Sequence, residues 1–226
     1  MHPDKNTSLA KLKGKKVLVT AGPTYEPIDP VRFIGNYSTG KMGYSLADAL
    51  YEIGAEVNLI SGPCHLTPKH TLNNYIRVQN TKEMFEHSVE LFPFCDLAIL
   101  AAAVADYRPV KTEEKKIKSR TERLVLTLEK TEDIALELGK IKKPGQKLVG
   151  FALETDNEIA NAREKLHKKN FDLIVLNSLQ DKDAGFGYET NRITILDADN
   201  KIHNFGLKLK EDVAIDILQM ISEKLF

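Results

Sequence analysis

The stretch KVLVTAGPTYEPIDPVRFIGNYSTGKMGYSLADALYEIGAEVNLI, residues 16–60, decides the fold. Its opening, Lys16-Val-Leu-Val-Thr20, is a short apolar, β-branched run and reads as a strand. A Pro-rich loop follows over 22–30. Residues 42–53 change to helical spacing, with Leu46, Ala49, Leu50 and Ile53 recurring, and stop at Gly54, a good C-cap residue. Residues 56–60 form a second apolar run, ending in Ser-Gly-Pro. Strand, helix and strand in alternation predict a doubly wound α/β sheet.

The same alternation runs outward along the chain. Residues 75–78 predict a strand and 82–91 a helix. The run 97–103 is apolar throughout, which suits a central strand covered on both faces. Residues 123–129 alternate, with Leu124, Leu126 and Leu128 on one face, and predict a half-exposed strand. Thr131 reads as the cap of a helix whose Glu132 and Asp133 suit its positive end. Strands are predicted at 147–152 and 172–176, and a helix at 158–170. A Gly-bearing loop at 185–191, a hairpin of 192–196 with 201–204, and an amphipathic helix at 212–225 complete the pattern. The expected organisation is one Rossmann-like, mostly parallel α/β domain over 14–226, with 1–13 as a tail or linker.

The 226 residues carry 32 basic and 32 acidic side chains, a formal net charge of zero. Phosphate contacts to a nucleic acid need a basic excess, so a general nucleic-acid binder is excluded. The polar, lysine-rich start lacks an apolar signal core, and no run approaches the roughly 18 apolar residues of a membrane helix. The two cysteines, Cys64 and Cys95, form no CxxC pair. Reduced thiols in a cytoplasmic protein are the expectation. Six histidines are scattered without metal-site spacing. Neutrality is not local, however. Segments 111–123, 140–147 and 163–169 together hold 14 basic groups against 4 acidic in 28 residues.

Ligands of such sheets bind beyond the carboxyl ends of the strands. Three junctions stand out there: 20–24, 61–63 and 101–106. None is GxGxxG. Residues 35–41 fit GxxxxGK, but Met42 stands where a P-loop needs Ser or Thr, and the nearest predicted strand ends about 15 residues earlier. Ser38, Thr39 and Gly40 precede a helix start, whose free N–H groups attract a phosphate or carboxylate. A plain cap by Ser38 or Thr39, without ligand, is the competing reading.

The lysine segments divide in the same way. Residues 140–147 flank Pro144-Gly145 and read as a solvated turn. On the helix at 158–170, Ile159, Ala162 and Leu166 mark the buried stripe. Lys169 falls roughly 50° and Lys165 roughly 90° from its centre. Two like charges at i,i+4 repel unless an anion lies between them, which points to a polyphosphate rather than to a solvated face.

Residues 21–43, AGPTYEPIDPVRFIGNYSTGKMG, closely resemble phosphopantothenate–cysteine ligase, the amide-forming enzyme of coenzyme A biosynthesis. The resemblance runs from about Gly14 to Leu225. It recurs in Ala102-Ala-Val-Ala-Asp-Tyr-Arg108, Lys116-Ile-Lys118, Val149-Gly-Phe-Ala-Leu-Glu-Thr155 and Phe186-Gly…Asn191. It implies a two-step reaction. CTP activates the 4′-phosphopantothenate carboxylate as an acyl-cytidylate with release of pyrophosphate, and the cysteine amine then displaces CMP. Mg²⁺ as cofactor, a cytoplasmic homodimer and small-molecule substrates belong to the same implication. In many bacteria this ligase is the C-terminal half of a protein that also carries a flavin-dependent decarboxylase. The lysine-rich start fits a stand-alone enzyme or one such half.

Residue by residue, Asn36 matches the family asparagine that contacts the activated acyl group, and Arg32 the functional arginine beside it. Lys116 matches the first lysine of a KxKK motif needed for activation, which here reads Lys-Ile-Lys-Ser with Ser119 last. Asp106, Glu132, Asp133, Ile134, Ala135, Phe151, Lys165 and Lys169 match nucleotide contacts, as does Lys116. Thr131-Glu132 departs from the usual Asn-Pro at the start of that stretch. Gly40, Lys41, Asn36 and Ala103 match the phosphopantothenate side, and metal ligands are not identified. Residues 111–120 are long and polar enough to act as a mobile, lysine-bearing flap, and the Leu124/Leu126/Leu128 face suits a dimer contact. Two alternatives remain: an ATP-using ligase of the same chemistry, and a non-catalytic nucleotide-binding module on the same fold.

Overall fold

The first strand, β1 (Lys16–Ala21), lies inside the main sheet, and its Val17, Leu18 and Val19 are fully buried. An apolar run without polar alternation requires cover on both faces. The structure, a computed structural model, describes residues 9–118, 123–154, 156–178 and 187–226. After β1 come β2 (Tyr25–Pro27), β3 (Phe33–Gly35), β4 (Glu56–Ser61), β5 (Asn74–Arg77), β6 (Leu97–Leu100), β7 (Tyr107–Pro109) and β8 (Leu128–Lys130). They are followed by β9 (Lys147–Glu154), β10 (Leu173–Ser178), β11 (Thr190–Asn191), β12 (Ile193–Asp197), β13 (Ile202–Asn204) and β14 (Lys208–Leu209). The helices are α1 (Lys41–Ile53), α2 (Thr81–Leu91), α3 (Ile134–Ile141), α4 (Glu158–Lys168) and α5 (Lys210–Leu225).

Among the described residues eight strands make the main sheet, in the order β13-β12-β10-β9-β6-β1-β4-β5. The six from β10 to β5 run parallel, and β12 and β13 add an antiparallel edge. From β1 the chain steps outward to β4 and β5. It then returns to the other side of β1 for β6, β9 and β10. The order reverses between β1 and β6, so the crevice of a doubly wound sheet opens there. The expected Rossmann-like α/β architecture is the one observed.

Alternation along β1 sorts the core. Val17 and Val19 pack with Leu46 and Leu50 of α1 and with Ile217 and Ile221 of α5 on one face. Leu18 packs with Met84 of α2, Leu138 of α3 and Leu166 of α4 on the other. Each fully buried Leu or Ile contributes about 2 kcal/mol through removal from water. Leu12 is also fully buried in the first cluster, so the core begins inside the segment expected to be a tail.

Close approach of three glycines shapes the crevice. A Cβ on Gly62 would lie 1.7 Å from the Pro23 carbonyl oxygen, and one on Gly40 would lie 3.2 Å from Gly22 Cα. Gly22 and Gly40 also have φ of +75° and +81°, a region open mainly to glycine. The loops after β1 and β4 and the start of α1 therefore meet backbone to backbone.

Several local expectations are corrected. The run expected as strand 97–103 ends at Leu100, where the chain turns into the crevice. Only Leu128–Lys130 of the stretch 123–129 and its neighbour forms a strand, paired with β7 outside the main sheet. Leu124 and Leu128 are 50% and 43% exposed, because no layer of the described residues covers the two-stranded arm. Asp133, not Thr131, caps α3, accepting from Leu136 N at 3.0 Å. Thr131 Oγ1 instead donates to the Ala105 carbonyl at 2.6 Å. Ser38 Oγ accepts from Gly40 N at 3.2 Å and Thr39 Oγ1 from Lys41 N at 3.5 Å, but neither residue is the N-cap of α1. Its N-cap is Gly40, without a side-chain cap. Residues 35–41 do join β3 to α1, but β3 belongs to a two-stranded sheet with β2 and not to the main sheet, in keeping with the expectation that this segment is not a P-loop.

The lysine-rich segment expected to be a flap is stitched to the β2–β3 turn. Thr112 Oγ1 donates to Pro27 O at 3.0 Å and Glu113 N to Ile28 O at 2.9 Å. Ile117 N donates to Asp29 Oδ2 at 3.0 Å, and Arg32 Nη2 donates to Ile117 O at 2.8 Å. Ser119, Arg120, Thr155, Gly185 and Phe186, on which parts of the motif readings fall, lie outside the described residues.

Candidate active site

Beyond Thr20 and Leu100, the chains leaving β1 and β6 continue side by side. Ala103 N donates to Gly22 O at 2.9 Å, and Thr24 N donates to Ala103 O at 3.3 Å. Buried hydroxyls hold the next turn. Thr24 Oγ1 accepts from Ala105 N at 2.9 Å, and Thr81 Oγ1 donates to the buried Glu26 carboxylate at 2.6 Å. The segment 101–106 is thus a rigid partition, satisfied on its inner side.

Two cavities flank it. The first, about 510 Å³, is lined by Asp106, Glu132, Asp133, Ile134, Ala135, Phe151, Lys165 and Lys169, together with Tyr107, Lys130, Thr131 and Phe171. All the expected nucleotide contacts except Lys116 meet there. The second, about 320 Å³, is lined by Asn36, Ser38, Thr39, Gly40, Lys41, Ala103, Asn177, Asn191 and Lys210. It gathers the four residues expected on the acid-substrate side. Ala102, Val104, Asp106 and Phe151 face both cavities.

The two lysines expected to converge on a polyphosphate are each held by a carboxylate. Lys165 Nζ lies 2.6 Å from Glu154 Oε1, and Lys169 Nζ lies 3.0 Å from Asp133 Oδ1. α4 ends at Lys168, so Lys169 is a C-cap and not a full helical position. The capping carboxylate of Asp133 thus also steers Lys169 toward the cavity. Arg108 binds both oxygens of Glu132 at 2.9 Å. Burial pushes the Glu132 carboxyl up, but a bond from its own backbone N–H and the Arg108 guanidinium bring it below the usual carboxylate range.

Asn36 Nδ2 donates to Ala103 O at 2.9 Å and Val104 O at 3.2 Å. Two carbonyl partners fix the orientation of the amide and leave Oδ1 as its acceptor. Lys41 pairs with Glu189. Arg32 and Lys116 line neither cavity. Arg32 is engaged by Asp29, with Nε and Nη2 donating to Oδ2 at 3.1 and 2.5 Å. The bonds from Arg32 hold the Asp29 carboxyl far below its ordinary value against the opposing effect of burial.

Sequence reading misses Asn177 and Lys210 as site residues. Asn177, a polar residue closing the apolar run of β10, carried a usable hint. Asn191 Nδ2 donates to its Oδ1 at 3.0 Å. Lys210 has no local hint. It is 5% exposed at the start of α5, and Nζ donates to the Tyr188 carbonyl at 2.6 Å. Burial, then the nearby Lys41 charge, lower its pKa.

No group of three or more His, Cys, Asp or Glu that could hold a metal occurs among the described residues. Mg²⁺ at nucleotide sites is usually held by one or two carboxylates together with the phosphates. Asp106, exposed at the boundary of both cavities, fits that arrangement. No helix among the described residues is long and apolar enough to cross a membrane.

A reversed parallel sheet with two joined chambers at its switch point defines a Rossmann-like ligand-binding domain. The chain belongs to the DNA/pantothenate metabolism flavoprotein C-terminal domain family, whose model matches residues 12–225. It is 46% identical over 213 residues to the Coenzyme A biosynthesis bifunctional protein CoaBC of Bacillus subtilis (strain 168), covering 94% of this chain and 52% of that protein. It is 59% identical over 210 residues to a prokaryotic protein of unknown organism named Cysteine/Cysteine sulfinic acid decarboxylase, covering 93% and 58%. The crystal structure of the C-terminal domain of a CoaBC protein matches with a TM-score of 0.80 at 39% identity, covering 95% of this chain and 97% of that one. The chain thus spans about half the length of these two curated relatives.

Proposed function

We propose that this domain is a ligase of coenzyme A biosynthesis that joins 4′-phosphopantothenate to L-cysteine through an acyl-cytidylate. The observation that carries the reading is the pair of cavities divided by one partition, Ala102–Asp106, with cationic side chains on both sides. In the first half-reaction a carboxylate oxygen of the acid attacks the α-phosphorus of CTP, and the P–O bond to pyrophosphate breaks. In the second the neutral cysteine amine attacks the acyl carbon, CMP leaves, and the amine loses a proton.

Two anions must approach each other in the first step, so positive charge is the main requirement. Lys165 and Lys169 would exchange their carboxylate partners for the triphosphate. Asp106 would hold Mg²⁺, which supplies further neutralisation of phosphate charge. Asn36, with its N–H groups held by the partition, would offer Oδ1 to an N–H of the incoming amine and so aim the nitrogen lone pair. A protonated amine cannot attack, and an acceptor at this point favours the productive orientation.

Lys116 stands outside both cavities of one chain, so it reaches the reacting carboxylate by movement or from a second chain. Exposed apolar side chains on the small hairpins, Val31, Phe33, Val110 and Val125 among them, support a homodimer. Mixing an Asn36→Asp chain with a Lys116→Gln chain separates the two routes. Activity in the mixture above that of either alone requires a site built across chains.

The deciding experiment measures pyrophosphate release with 4′-phosphopantothenate and Mg²⁺, using CTP or ATP, with and without cysteine. Release with CTP, and amide product only when cysteine is present, is the expected result. Release with ATP instead would replace the nucleotide in this reading. No release with either, despite nucleotide binding, would leave a non-catalytic module.

A further inference from the structure

We propose that Lys210 binds the phosphate monoester end of the acid substrate in the second cavity, acting with Lys41. This rests on the ligase reading and adds to it a residue with which neither the motif nor the resemblance is concerned.

Lys210 is placed against three ordinary preferences at once. It is 5% exposed, although lysine is rarely buried. It is the first residue of α5, at the positive end of the helix dipole. Its ammonium also feels the charge of Lys41. Each of these raises the cost of a cation here even with partners such as the Tyr188 carbonyl, and Lys210 nevertheless lines the cavity together with Lys41. A divalent anion between the two ammonium groups would offset their repulsion and the electrostatic cost of placing a cation there.

The rest of the cavity suits such an anion. Ser38 and Thr39 bring hydroxyls, and α1 starts at Lys41 without a side-chain cap. Lys41 meanwhile pairs with Glu189, whose side chain is 70% exposed. The backbone of Glu189 accepts from Lys210 N at 3.0 Å, so one short segment, Tyr188-Glu189, holds both lysines. An incoming phosphate displaces an exposed carboxylate from Lys41 and meets Lys210 behind it. A carboxylate could bridge both ammonium groups but would neutralise only one of the two charges, whereas a phosphate dianion matches both. The reactive carboxylate of the same substrate is then left for Asn36 at the partition.

The test compares 4′-phosphopantothenate with pantothenate, identical but for the phosphate, by titration calorimetry on the unaltered chain, Lys210→Met and Lys210→Gln. The unaltered chain should prefer the phosphorylated acid. Both variants should lose about 10- to 100-fold in affinity for it, the span of one charge-assisted hydrogen bond, with little change for pantothenate or CTP. Thermal unfolding without substrate should be unchanged or raised, because a buried charge has been removed. Lys210→Gln keeps a donor for Tyr188 and serves if the Met variant fails to fold. The proposal is overturned if the preference for phosphate survives in the variants, if it is missing from the unaltered chain, or if pantothenate and CTP weaken equally. Loss of the phosphate preference in a chain that releases no pyrophosphate would keep Lys210 and reject the ligase reading.

Discussion

The carboxylate of Asp29 holds the guanidinium of Arg32 at 2.5 Å while accepting from Ile117 N at 3.0 Å. One side chain therefore ties the β2–β3 turn to the residue following Lys116. Asp29→Asn removes the charge at nearly constant shape. We expect pyrophosphate release to fall about tenfold or more through misplacement of Lys116, with the far-ultraviolet circular dichroism unchanged. Wild-type nucleotide turnover in this variant would remove the link between the clasp and Lys116.

The same carboxyl sets an acid limit. Its folded-state pKa is depressed, so its contribution to stability is present above the ordinary value of roughly 4 and is lost as pH falls from there toward the folded value. Urea midpoints measured from pH 6 down to pH 2 should decline less in Asp29→Asn than in the unaltered chain. Equal slopes would show that the carboxyl is not specially held.

Lys165→Met and Lys169→Met test the first cavity. Each should weaken CTP binding by about 10- to 100-fold, as loss of a charge-assisted contact to phosphate does. Lys165 is 43% exposed, so its pairing with Glu154 is screened and its loss should cost under about 1 kcal/mol of stability. A variant that binds CTP normally would return the lysine to a solvated face.

Asn36→Asp places a carboxylate where Ala103 O and Val104 O now accept from an amide. Repulsion should turn the side chain away, leaving the exposed position folded but slowing amide formation by about a hundredfold or more. Rapid-quench analysis should show pyrophosphate and acyl-nucleotide without matching amide. Normal ligation would remove Asn36 from the reaction.

Gly62→Ala introduces a methyl group 1.7 Å from the Pro23 carbonyl oxygen. Relief requires separation of the loops after β1 and β4, at about 3 kcal/mol or more. A thermal midpoint within a degree of wild type would contradict the close approach.

The two thiols should differ in reactivity. Burial raises the Cys95 pKa to about 11, leaving roughly one thiolate in a thousand at pH 8. Cys64 is only partly buried. Mass-spectrometric mapping after iodoacetamide treatment should find Cys64 modified first. Faster labelling of Cys95 would contradict its burial.

The layers were legible in the sequence because burial imposes a period on it. Residues 16–60 yield β1, α1 and β4 to within a residue or so, since both faces of β1 must be apolar and Gly54 must end α1. Period alone does not name a partner. Alternation at 124, 126 and 128 is real, yet it belongs to a short arm paired with β7. Thr131 and Asp133 are equally plausible caps by composition, and only the demand of Ala105 O for a donor separates them. Members of the cavities found by motif were legible as types of chemistry. Their partners were not: Arg32 reaches Ile117 across 85 residues, and tertiary packing alone buries Lys210.

The partition between the cavities has a consequence for inhibitors and for kinetics. Ala102, Val104, Asp106 and Phe151 serve two chambers, so no substitution among them perturbs one ligand in isolation. Changes there should appear as mixed inhibition patterns against both substrates. By the same geometry, a single molecule spanning the partition would gain from each chamber without a second loss of rotational and translational freedom. On the proposed reading, the wall between the two chambers is also the place where a linked inhibitor would be joined.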